Sequence, residues 1–160
     1  MIDSVATLVA LTQEAERALG GDGEVRITRF PFKIGRESHS RNSASEWERE
    51  RHVVDPILND VCLIEPRSEA SLLHISREHF AIEYVDNEFF LVDRGSACGT
   101  IVAGRWIGGD RAGGRTELQH GDLVVVGTAR SPYVFRFELK TNFPERARFM
   151  DAEQNRGAGL

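Results

Sequence analysis

The sequence predicts an all-β fold: an antiparallel β-sandwich carrying an N-terminal α-helix and a long polar insertion. Three observations predict it. Tyr133, Phe135, Phe137 and Leu139 alternate with Val134, Arg136 and Glu138, the period-2 pattern of a strand with one buried face. Phe80, Ile82 and Tyr84 repeat that alternation, and after the turn signal Asp86-Asn87 the run 89–93 returns as a hairpin partner. Further short apolar runs follow at close spacing, separated by glycine-rich turns, as in a sandwich.

Taken in order, the elements read as follows. Ile2, Val5, Leu8, Val9, Thr12, Ala15 and Leu19 recur at helical spacing and predict an amphipathic helix over residues 1–20, with Asp3 or Ser4 as cap and Gly20-Gly21 as stop. Its apolar stripe either packs on the sandwich or pairs with a partner or a second copy, in which case self-association runs through it. From Glu24 the pattern changes to strands: Val25, Ile27 and Phe30 interleave with Arg26 and Thr28, Pro31 breaks the run, and Phe32, Ile34 and Gly35 form a second strand. Residues 37–59 are polar and charged, with a serine-rich start and Trp47 inside a charged run. A long loop inside a compact domain is uncommon and often functional. This insertion leaves from Arg36 and returns before Ser76, so one reading has it shape or cover a site there, with Trp47 as a contact; the other leaves it a solvated insertion. Residues 108–114 read as an exposed glycine-rich turn, and Leu123 to Val126 as a short apolar strand. The main domain is expected over residues 24–140 and a polar tail over 141–160.

Composition narrows the function classes. A net charge of −5 weighs against bulk nucleic-acid binding, which relies on phosphate neutralisation by Lys and Arg. No apolar run approaches the roughly 20 residues a membrane helix needs, so no membrane association is expected. The first twenty residues lack a basic start and contain Glu14 and Glu16, unlike a signal peptide. Cys62 and Cys98 form no CxxC pair, and a reducing cytoplasm is the expected setting. No cofactor or metal is implied. The five histidines form neither an HExxH helix nor a CxxC…H cluster; Ser96 lacks the flanking glycines of a nucleophile elbow; 108–114 lacks the Lys-Ser/Thr of a phosphate-binding P-loop. An enzyme is not expected.

Three blocks carry the chemistry: Ile34-Gly35-Arg36 at a strand end, Ser76-Arg77-Glu78-His79 running into a strand, and Asp93-Arg94-Gly95-Ser96-Ala97-Cys98-Gly99-Thr100 followed by Ile101-Val102-Ala103-Gly104. In this order they resemble the signature of the forkhead-associated (FHA) domain family, Gly-Arg, then Ser-x-x-His, then Ser-x-Asn-Gly-Thr and Asn-Gly. Leu118-x-x-Gly121-Asp122 resembles its closing segment. The resemblance implies a sandwich of the FHA/SMAD type that binds a phosphothreonine-containing peptide on apical loops, commonly in signalling. By it, Arg36 and Ser76 contact the phosphate, Arg77 lies beside them, and Ala97 and Cys98 occupy the peptide-facing loop. Gly35, His79, Gly99 and Gly104 are then architectural, with His79 fastening the loops. The chemistry suits the residue types: a phosphothreonine carries about −1.5 to −2 charges, and arginine offers a planar fork of donors to its oxygens.

The chain departs from the pattern where Ala97-Cys98 replaces Thr-Asn and Ala103 replaces the second asparagine. A hydroxyl and a peptide-clamping amide are lost, so weakened or altered specificity is expected. The alternative is a phosphate-independent protein–protein interaction scaffold with a degenerate site.

Overall fold

The computed structural model describes residues 6–36, 59–66 and 73–140. The expectations for Trp47, for nearly all of the insertion and for the polar tail lie outside the described residues.

Among the described residues, eleven strands and one short helix follow one another: β1 (Ala6–Ala10), α1 (Gln13–Ala18), β2 (Glu24–Ile27), β3 (Phe32–Gly35), β4 (Val61–Cys62), β5 (Phe80–Val85), β6 (Glu88–Asp93), β7 (Thr100–Val102), β8 (Arg105–Ile107), β9 (Gly114–Leu118), β10 (Leu123–Val126) and β11 (Val134–Leu139). They form a six-stranded sheet, β2-β1-β11-β10-β7-β8, and a five-stranded sheet, β4-β3-β5-β6-β9. The sandwich expectation holds. Phe135, Phe137 and Leu139 are buried on β11 while Val134, Arg136 and Glu138 stay half-buried, as the alternation requires. The Asp86-Asn87 turn has positive φ at both residues (52° and 66°), the type I′ geometry that matches strand twist, and it sets the register Tyr84↔Phe89. The core closes between the sheets where Phe89 of β6 meets Phe137 of β11, ring centroids 5.5 Å apart.

Two expectations are corrected. The helix assigned to 1–20 is confined to Gln13–Ala18, and Ala6–Ala10 is a strand paired with both β11 and β2. Leu8 fits both periods. The decisive factor is tertiary: β11 and β2 both present backbone donors and acceptors that β1 satisfies, and Ala6 and Leu8 fill the core at 0% and 3% exposure. The cap is accordingly Thr12, whose Oγ1 accepts from Ala15 N–H at 3.1 Å; Gly20 and Gly21, both at positive φ, end the helix as expected. Ala15 and Ala18 bury its inner face, so the helix packs on the sandwich.

The second correction concerns strand direction. β3 and β4 pair in parallel, while every other pairing among the described residues is antiparallel. A parallel pair needs a crossover of about a dozen residues or more, and the connection spanning residues 36–60 is long enough to make one. Asp60 fastens the returning chain: its carboxylate accepts from Lys33 N–H at 2.8 Å and pairs with Arg29, and Asp60 N–H donates to Lys33 O at 2.8 Å.

Candidate functional site

The C-terminal end of β3 and the N-terminal end of β5 lie at one end of the sandwich. Arg36 N–H donates to Ser76 O at 2.9 Å, and Arg36 Nε–H donates to Ile75 O, also at 2.9 Å. The second bond orients the guanidinium beside the Ser76 turn. Ser76 Oγ accepts from Ala97 N–H at 3.0 Å, which joins the β6–β7 loop to the other two. With its oxygen engaged, the hydroxyl keeps one hydrogen to donate. Arg36 and Ser76 are half-exposed and Arg77 and Ala97 exposed, so the cluster faces solvent.

His79 holds these loops from below. It is fully buried; Nδ1 accepts from Ser76 N–H at 3.0 Å, which leaves Nε2 to carry the proton donated to Gly99 O at 2.7 Å. Burial pushes its pKa below the ordinary histidine value, against the opposing pull of the Gly99 carbonyl, Asp93 and Glu65. The ring is thus neutral and ties Ser76 to Gly99. Gly99 needs its glycine twice over: its φ is +79°, and a methyl group there would meet Trp106 Nε1 at 2.4 Å.

Further residues position the loops; Asn59 and Glu65 among them were not singled out from sequence, and Asp93 and Arg94 were named there without this bracing role. Asn59, buried to 2% exposure, donates from Nδ2 to Arg77 O at 2.7 Å and accepts from Arg94 Nη1 at 2.6 Å. Arg94 is further paired with Glu78 at 3.1 Å, which commits it to bracing the loops. The Asp93 carboxylate organises the β6–β7 loop by accepting from Gly95 N–H (2.8 Å), Ser96 N–H (3.1 Å) and the Ser96 hydroxyl. The Asp-x-Gly-Ser spelling of that turn was the available signal. Glu65 accepts from His74 and Ile75 N–H at 2.9 and 2.8 Å, and so holds the segment whose carbonyl seats Arg36. Burial, with Glu65 next in weight, pushes the Tyr133 hydroxyl up to about 12. Replacing Glu65 by alanine is expected to lower the Tyr133 pKa toward 10 in a spectrophotometric titration and to cost about 1–3 kcal/mol in urea denaturation.

Gly35 is buried where chains cross. A methyl group there would lie 1.9 Å from the Arg77 carbonyl oxygen and 2.7 Å from Asn59 Oδ1, and backbone has nowhere to move. Gly35→Ala is therefore expected to cost about 1–3 kcal/mol or more by overpacking, read as a lowered urea midpoint.

Cys98 is half-buried, its Sγ 3.6 Å from Leu73 O, and burial, then Glu65 and Asp110, raise its pKa. It is a protonated thiol at neutral pH and a poor nucleophile. Gly104 is not brought to this end: with Ala103 it turns the chain at the opposite end of β7. The 108–114 turn is largely exposed, as expected, and it also braces the β6–β7 loop. Asp110 N–H donates to Ala97 O at 2.9 Å and Arg111 N–H to Ser96 O at 3.0 Å, and Gly109 is buried.

The family model for the FHA domain matches residues 49–127. Similar solved structures include the FHA domain of the CT664 protein from Chlamydia trachomatis, at 21% identity, covering 86% of this chain and 100% of that one, with a TM-score of 0.52. The FHA domain of a hypothetical protein from Arabidopsis thaliana is 17% identical over 89% of this chain and 91% of that chain, TM-score 0.52. Mycobacterium tuberculosis EmbR, solved in complex with a low affinity phosphopeptide, is 18% identical over 86% of this chain and 25% of its own, TM-score 0.51. At these identities the likeness is one of fold. A search of curated proteins gave no match.

Proposed function

This chain belongs to the forkhead-associated domain family, and we propose that it is a phosphoprotein-binding adaptor whose apical loops receive a phosphothreonine-containing segment of a partner. One observation carries the reading: Arg36 and Ser76 share one solvent-facing loop cluster, with the Arg36 backbone N–H bonded to Ser76 O and its Nε–H to Ile75 O, both at 2.9 Å, and the Ser76 hydroxyl held by Ala97 N–H at 3.0 Å. A planar fork of donors next to a hydroxyl donor complements a phosphate dianion. The phosphopeptide bound to EmbR, a protein of the same fold, supports the ligand class. Arg77, exposed on the same loop, flanks the seat. The domain acts by binding rather than catalysis, and a cytoplasmic signalling role fits it.

Ala97 and Cys98 favour weakened or altered specificity. The first brings no hydroxyl, and the second turns its thiol to Leu73 O instead of presenting an amide. Two lost bonds of about 0.5–1.5 kcal/mol each reduce affinity by roughly one to two orders of magnitude. The same pair favours the second reading, a scaffold binding its partner without phosphate. Titration with matched phosphothreonine and threonine peptide libraries separates them. Binding to the phosphorylated set alone is expected, and equal affinity for both sets would overturn the phosphate-dependent reading.

A further inference from the structure

Trp106 is the most exposed large apolar side chain among the described residues, at 60%, yet it is fixed in place. Its Nε1–H donates to Cys98 O at 3.0 Å. Its ring lies against two glycines: a methyl group at Gly109 would meet Cζ2 at 2.4 Å, and one at Gly99 would meet Nε1 at 2.4 Å. Gly109 is held there by the turn whose next residues, Asp110 and Arg111, bond to Ala97 O and Ser96 O. Burying an indole edge on bare backbone needs glycine on both sides, and the fold supplies both. The exposed indole surface is therefore a rigid plate rather than a loose surface side chain, and ordering it on binding costs little entropy.

The plate adjoins the anion seat. Ser76 Oγ bonds Ala97 N–H at 3.0 Å, and the carbonyl of the next residue, Cys98, receives the indole N–H. An extended peptide advances about 3.3–3.6 Å per residue, so a ligand anchored at Arg36 and Ser76 reaches the plate within about three residues. The indole's one polar group is already spent on Cys98 O, so what faces solvent is apolar. We propose that Trp106 is a specificity-determining residue: it receives an apolar or aromatic side chain lying within three residues of the phosphothreonine, and so replaces by stacking the peptide clamp that Ala97-Cys98 lacks. This rests on the phosphopeptide reading above. Aromatic and aliphatic side chains gain most from covering such a fixed, exposed apolar surface.

The test is a phosphothreonine peptide library randomised at the three positions on each side, profiled against the full chain and its Trp106→Ala and Trp106→Phe variants, with urea denaturation to check folding. Wild type is expected to select an apolar residue at one flanking position. Trp106→Ala is expected to lose that preference and bind the selected peptide about tenfold more weakly, while still requiring phosphate; Trp106→Phe is expected to keep part of the preference. Phosphate-dependent binding with a flat or acidic flanking profile in wild type would overturn the assignment of Trp106 while leaving the phosphopeptide reading intact, as would a preference unchanged in a folded Trp106→Ala. Binding indifferent to phosphate would overturn the phosphopeptide reading and this assignment with it. Should the alanine variant fail to fold, the wild-type profile and the phenylalanine variant decide the matter alone.

Discussion

Arg36→Ala is expected to abolish measurable phosphopeptide binding, with an affinity loss of about 100-fold or more. Each charge-assisted bond from a guanidinium to a phosphate oxygen is worth roughly 1.5–3 kcal/mol, and two of them exceed two orders of magnitude in Kd. The fold is expected to survive, because Arg36 lies at the end of β3 and alanine keeps its backbone N–H bond to Ser76 O. Arg36→Lys is the more discriminating variant. It keeps the charge and loses both the planar fork and the Nε–H that orients it, so binding is expected to recover only partly. Calorimetry with one phosphothreonine peptide reads all three proteins. A loss under threefold in a folded Arg36→Ala would remove Arg36 from the phosphate seat.

The second large effect falls on stability. His79→Ala is expected to destabilise the domain by about 2–5 kcal/mol, because it strips partners from Ser76 N–H and the Gly99 carbonyl in a buried setting and leaves a cavity beside Phe80. The pH dependence identifies the protonation state. In the fold, burial holds the His79 pKa below 6.5, so below about pH 6.5 the unfolded chain binds a proton that the folded chain refuses. The stabilisation from neutral His79 is thus complete above the unfolded value. It is lost as pH falls from there toward the folded value. The difference in unfolding free energy between wild type and His79→Ala is expected to shrink between pH 7.5 and pH 5; a difference that grows would mean a charged ring in the native state. Titrations of other groups enter both proteins alike and largely cancel.

Much of the sandwich was legible because its strands have one buried face. β5 and β11 follow from alternation, β10 from a short apolar run, and Asp86-Asn87 marks the hairpin that returns β6. The blocks Gly35-Arg36 and Ser76 to His79 were legible only through their order, in which they resemble the FHA signature, and the structure brings them into one loop cluster. Asn59 was not, because it stands at the end of a polar insertion and its partners, Arg77 O and Arg94 Nη1, come from loops much further along the chain. Trp106 gave no sign either: an exposed tryptophan on a short strand is unremarkable until Gly99 and Gly109 are seen to lie beneath it.

The sequence alone determined which side chains turn inward on each strand and where the chain must bend, because alternation and turn chemistry are local. Only the tertiary structure decided that residues 6–10 are a strand. A helix satisfies its own backbone, whereas a strand takes its hydrogen bonds from other segments, and here they are β2 and the distant β11. The same dependence on remote segments brought Arg36, Ser76 and Ala97 into one hydrogen-bonded cluster, a proximity that belongs to the packed loops and to no single stretch of residues.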